Sequence, residues 1–177
     1  MICREAHLYY SLFINLDYIV KNINIIAFCQ ILKLKSYGGN NMNLEYKYDK
    51  DINKEKLIKL FSSVGWKTAE YPNRLYNAIK NSDLVISVWN NEELVGLIST
   101  ISDGYINVFI TYLLISPDFQ KQKIGTQLMN KVLEHYKGFG RRIISTELDK
   151  EKYYNKFGFK IDGIVMFNKD WNDDNIK

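Results

Sequence analysis

The chain has 177 residues, 46% apolar and 14% aromatic, with 24 basic and 20 acidic residues for a net charge of +4. That length and apolar content suit one packed domain and crowd two. Half of the positive surplus lies before Met42, and acids and bases are interspersed throughout; without a basic stripe and interleaved aromatics, nucleic acid is disfavoured as a partner.

Residues 1–41 hold the only cysteines, Cys3 and Cys29. Whatever folds after Met42 has no thiol for a disulfide or a thiolate metal site, which suits a reducing cytoplasm. His7 and His135 are too few and too far apart to suggest a metal, and none is expected. Asp17 and Lys21 interrupt the apolar stretch Leu8 to Leu34, leaving uncharged runs short of the ~20 residues of a membrane span. No small-residue cleavage site follows to make it a signal peptide. Gly38-Gly39-Asn40-Asn41-Met42 can be encoded as GGA-GGT-AAT-AAT-ATG, a bacterial ribosome-binding sequence ahead of a start codon. Residues 1–41 are therefore expected as an extension, either translated noncoding sequence or an amphipathic segment packing on domain 42–177 or on a partner.

From Leu44 to Asp49 polar and apolar residues alternate as in a strand. Asn53 can cap a helix whose apolar face is Leu57, Ile58, Phe61 and Val64, and Gly65 stops it. Pro72 suits the first turn of a second helix, with Leu75, Tyr76 and Ile79 on one face and Asn81-Ser82 at its end. The β-branched runs Leu84–Asn90 and Leu94–Ser102, joined across Asn90 to Glu93, predict a hairpin, and Asp103-Gly104 predicts a turn into a third strand, Tyr105–Ser116. Ile124, Leu128, Val132 and Tyr136, flanked by Met129 and Leu133, mark a helix closed by Gly138 and Gly140. A strand Arg142–Glu147, a short helix around Lys150–Lys156 and a last strand from Phe159 to about Phe167 complete the order βααβββαβαβ. The expected fold is one α/β domain with a mixed, mostly antiparallel sheet flanked by helices.

Between Leu114-Ile115 and Leu128 a buried strand runs through Ser116-Pro117-Asp118-Phe119-Gln120-Lys121-Gln122-Lys123 into Ile124-Gly125-Thr126. Such a junction aims free backbone NH groups at one point and can hold a phosphate, with Gly125 allowing close approach. Alternatively, Gly125 only lets the helix lie close to the sheet. The segment resembles the acetyl-CoA loop of the GNAT superfamily, whose pattern is Q or R, x, x, G, x, G or A. Gln120 and Gly125 match it, and Lys123 stands at the first glycine. A lysine there is tolerable if its φ is negative, its ammonium then adding charge near a cofactor phosphate; the alternative is a solvated lysine. Tyr153-Tyr154-Asn155-Lys156-Phe157-Gly158-Phe159 resembles the superfamily's F-Y-x-x-x-G-F. Ser63-Val64-Gly65-Trp66, Asn81-Ser82-Asp83, Leu94 to Ile98 and Asp103-Gly104 resemble a subgroup of small bacterial members, so the likeness covers residues 44–168 in order.

The resemblance implies an acetyltransferase that moves an acetyl group from acetyl-CoA to an amine, a small molecule before a macromolecule, with no metal. It implies that Leu114, Ile115, Gln120, Gln122, Lys123, Ile124, Gly125 and Thr126 form the cofactor site, with NH groups near Ile115 holding the acetyl carbonyl. Tyr154 then protonates the leaving thiolate, which a phenol of pKa about 10 can do; its alternative is a core tyrosine. Tyr112 stands where many relatives place a carboxylate base, leaving Glu147 as base or as a surface or helix-capping carboxylate; a water chain or a substrate arriving already neutral would serve as well. Trp66, Tyr71, Tyr105 and Tyr112 are candidate walls of the acceptor pocket, or core. A non-catalytic acyl-CoA-binding module, and transfer to protein or aminoacyl-tRNA, are the alternatives; a homodimer is compatible with all of them.

Overall fold

The computed structural model describes residues 43–163. The extension 1–41 and residues 164–167 of the expected last strand lie outside them. Strand β1 (Leu44–Lys47) leads to helix α1 (Lys54–Ser63) and, through a 3-10 turn at Lys67–Glu70, to α2 (Pro72–Lys80). Next come β2 (Leu84–Asn90), β3 (Glu93–Ser102) and β4 (Asn107–Ile115), then a 3-10 turn at Pro117–Phe119 and α3 (Ile124–His135). Strand β5 (Arg141–Ile144), a 3-10 turn at Leu148–Lys150 and the short α4 (Glu151–Asn155) follow.

The five strands lie in chain order in one sheet, β1 to β4 antiparallel and β4 parallel to β5. Alternation along the strands divides the core into two layers. Val85 and Leu97 pack with Leu57, Phe61, Leu75 and Ile79 of α1 and α2. Ile86, Val88 and Ile98 pack with Leu128, Met129 and Val132 of α3. As expected, the Asn53 side chain caps α1, accepting from Lys56 N at 3.1 Å, and Pro72 opens α2.

Several boundaries differ from expectation, each for a physical reason. Strand β4 begins at Asn107 rather than Tyr105, because the Asp103 carboxylate accepts the backbone NH groups of Tyr105, Ile106 and Asn107 at 2.8–2.9 Å and holds them in the turn. In the β3–β4 register Ser99 faces Tyr112 and Thr100 faces Ile110, so Thr111 is an extra residue on β4, a bulge that bends the strand. The β4–β5 ladder stops at Ile110–Ile144 beside that bulge. This is why β5 ends at Ile144 and not at Glu147. The residues 159–163 expected to start a last strand are irregular.

Candidate functional site

A cavity of about 780 Å³ opens where β4 and β5 part, within the size range of small-molecule sites. Ile110, Leu113, Ile115 and Ile144 give it an apolar lining; Lys121, Lys123 and Lys150 against Glu147 give it a positive one. Lys150 is paired with Asp149, so the uncompensated charge sits on the loop before α3. An apolar channel with a cationic rim fits a ligand made of an aliphatic arm and phosphates.

That loop is tied to the strand it leaves: Gln120 Nε2 donates to Ile115 O at 3.0 Å and Gln122 Nε2 to Asp118 O at 3.3 Å. Lys121 and Lys123 both have φ of 63°, in the left-handed region. The condition of a negative φ, under which a lysine is easily tolerated here, is therefore not met at Lys123. The residue takes the conformation a glycine favours because the chain must turn sharply into α3, where Lys123 occupies the N-cap position without a side-chain capping bond.

Two adjacent tyrosines of α4 line the cavity. The Tyr154 ring packs against the α3-side core and near Phe159, centroids 6.2 Å apart, and its hydroxyl is hydrogen-bonded with Thr146. The Tyr153 hydroxyl is hydrogen-bonded with Thr126 and stands 3.0 Å from where a Cβ on Gly125 would lie. Burial raises the pKa of both phenols, opposed by their threonine partners, so both are protonated donors at neutral pH.

Of the residues singled out from the sequence, the structure brings Trp66, Ile115, Gln120, Lys123, Ile124, Gly125, Thr126, Glu147 and Tyr154 to this cavity. Gln122 is exposed outside the lining, and Leu114 is buried on the α1–α2 side, where strand alternation turns its side chain away. Tyr112 sits behind Trp66, ring centroids 5.7 Å apart, with Phe61 at 5.1 Å and a hydrogen bond to Thr68; burial raises its pKa. Tyr71 caps α2 away from the lining. Tyr105 is 85% exposed in the β3–β4 turn, at the far end of β4 from Ile115. Glu147 is exposed, and its carbonyl accepts from Lys150 N at 3.0 Å. Sequence reasoning missed Tyr153, Lys121, Thr111 and Thr146; only Tyr153 carried a signal, as the neighbour of Tyr154. Among the described residues no cluster of three or more His, Cys, Asp or Glu could hold a metal, and no helix is long and apolar enough to cross a membrane.

The sequence pattern of the acetyltransferase (GNAT) family matches residues 52–159. An uncharacterized N-acetyltransferase, ycf52, of Pyropia yezoensis is 31% identical over 117 residues, covering 63% of this chain and 67% of that protein. Among solved structures, a GNAT-family acetyltransferase of Streptococcus pneumoniae TIGR4 superposes with a TM-score of 0.62 at 26% identity, over 72% of this chain and 99% of its own. An aminoglycoside 6'-N-acetyltransferase complexed with coenzyme A shares the fold, with a TM-score of 0.55 at 18% identity over 68% and 87% of the two chains.

Proposed function

Because the chain belongs to the acetyltransferase (GNAT) family, we propose that it is an acetyl-CoA-dependent N-acetyltransferase transferring directly to a primary amine, on a small molecule before a macromolecule, in a bacterial cytoplasm. The observation that carries this reading is the cavity at the parting of β4 and β5, which joins an apolar channel, the lysine-bearing loop and the two α4 tyrosines.

Bound acetyl-CoA supplies an activated acetyl thioester; this chain's residues do the rest. Lys121, Lys123 and the NH groups around Gly125 hold the phosphates. Ile110, Leu113 and Ile115 line the arm's channel and exclude water, and backbone NH groups of β4 near Ile115, past the end of the β5 ladder, face the acetyl carbonyl. An amine of pKa near 10 must be neutral to attack, and among the described residues Glu147 is the one carboxylate lining the cavity that can take its proton. Tyr154 gives its phenolic proton to the departing sulfur. Trp66, at the rim, borders the acceptor.

The test is an acetyl-acceptor screen read as release of free thiol, with calorimetry of acetyl-CoA alongside, on protein starting at Met42, where the domain is proposed to begin. Saturable binding with acceptor-dependent thiol release supports the reading. Binding without turnover across amines, peptides and aminoacyl-tRNA supports a non-catalytic module instead, and no binding removes both. The truncated protein is expected to melt at the same temperature as the full chain; a large drop would make residues 1–41 part of the domain.

A further inference from the structure

Among the described residues, Gly125 is the one glycine of the cavity wall, and its missing side chain leaves room for a neighbour. An ideal Cβ there would lie 3.0 Å from the Tyr153 hydroxyl oxygen, close enough that the hydroxyl would have to shift by a few tenths of an ångström, while the next contacts, Tyr153 Cζ and Ile115 Cγ1, are at 3.9 Å, ordinary packing distance. The glycine thus leaves space for one oxygen atom. That oxygen is hydrogen-bonded with Thr126 and borders the same cavity as Lys121 and Lys123.

The neighbouring phenol belongs to a different part of the cavity. Tyr154 is held by Thr146, one residue before Glu147, whereas Tyr153 is held by Thr126, three residues after Lys123. The Tyr153 hydroxyl thus stands at the first turn of α3, directly after the loop that carries Lys121 and Lys123. A hydroxyl at a helix N-terminus that follows a lysine-bearing loop is suited to donate to an anion's oxygen, since hydrogen bonds to charged acceptors are about twice as strong as neutral ones.

We infer that Tyr153 is a binding residue of this site, its hydroxyl donating to a phosphate oxygen of the cosubstrate, and that Gly125 is glycine to make room for that hydroxyl. The inference rests on the acetyl-CoA reading above and adds a division of labour within the tyrosine pair: Tyr153 binds, Tyr154 protonates. The missing side chain of Gly125 then serves the ligand at second hand, by admitting the phenol, rather than by clearing space for the phosphate itself.

Calorimetry with CoA on four proteins decides it: wild type, Tyr153→Phe, Gly125→Ala and the double variant. If wild type does not bind CoA, the acetyltransferase reading itself fails, an outcome separate from those below. Given wild-type binding, Tyr153→Phe is expected to weaken CoA about tenfold or more, with an unchanged melting temperature. Pantetheine, which carries no phosphate, is expected to bind both proteins alike, followed by ligand-observed NMR at millimolar concentrations. Gly125→Ala should weaken CoA in the wild-type background by displacing the hydroxyl, and add no further loss to Tyr153→Phe. Unchanged CoA affinity in Tyr153→Phe overturns the inference, as does an equal loss for pantetheine. So does a Gly125→Ala penalty of the same size in both backgrounds, because the glycine would then be meeting the phosphate directly.

Discussion

The two ends of α3 are built on opposite principles. At the C-terminal end Tyr136 is 2% exposed, and its hydroxyl donates to Asp83 at 2.5 Å and is bonded with Thr100 at 2.7 Å. Burial first, and then Asp83, raise its pKa to about 12. Helix, β2 and β3 are closed there around a satisfied polar group. At the N-terminal end two lysines sit in left-handed backbone, β4 is bulged, the ladder to β5 has stopped, and two phenols stand half-buried over open space. Local rules are obeyed where α3 only has to stay in place and broken where it borders a cavity, the pattern expected when strain is retained for binding.

The largest effect that separates the two ends is on ligand affinity. Gly125→Glu drives a carboxylate against the Tyr153 hydroxyl and into the phosphate end of the cavity. Like charges brought together cost several kcal/mol, so CoA affinity in calorimetry should fall by ~10² or more while the fold persists; normal affinity would move the phosphate site elsewhere. Tyr154→Phe comes next. It removes only a hydroxyl, and the thiol-release rate should drop by ~10², the scale of a lost general acid, with CoA affinity little changed. Since burial raises the Tyr154 pKa above its usual value, wild-type turnover should keep its acid through neutral and mildly alkaline pH.

The closed end should respond in stability instead. Tyr136→Phe leaves Asp83 and Thr100 without their shared partner, a loss of about 1–3 kcal/mol, read as a lower melting temperature with unchanged CoA affinity. Lys123→Gly should do the reverse. Relief of left-handed backbone is worth about 1 kcal/mol, so the variant should melt higher and bind CoA more weakly, with a shallower salt dependence. A variant that melts higher and binds normally would make the lysine a bystander.

The smallest effect belongs to the β3–β4 turn, on the closed side, where Ile106 O accepts from Arg141 N at 2.9 Å. Three backbone NH groups and the Asn107 side chain hold the Asp103 carboxyl well below the usual carboxylate range. A depressed folded pKa means its stabilisation is complete above the unfolded value of about 4 and is lost as pH falls through the folded one. Melting curves of wild type and Asp103→Ala should therefore differ at neutral pH and converge in strong acid.

The element order up to α4, the starts of α1 and α2, the turn at Asp103 and the family motifs were legible in the chain, because each depends on neighbours within a few residues. Periodicity places Leu57 beside Phe61 and Leu128 beside Val132 whatever the rest of the molecule does. The fate of Tyr105, Tyr71 and Leu114 was not legible in that way. An aromatic residue or a leucine in a strand or turn reads alike whether it meets a cavity, a helix or solvent, and the choice depends on which face and which end of β4 the cavity takes.

By itself, then, the sequence determined the architecture, the family and most of the loop around Gly125, since these follow from short-range pattern and from residue types with few alternatives. Only the tertiary structure decided that β5 stops at Ile144, that Lys121 and Lys123 turn left-handed, and that two neighbouring tyrosines part company, one to Thr126 and the other to Thr146. The reason is one of range: these features arise where the Thr111 bulge ends the ladder and where α4 brings its phenols to the first turn of α3, meetings between segments some thirty residues apart that no local pattern encodes.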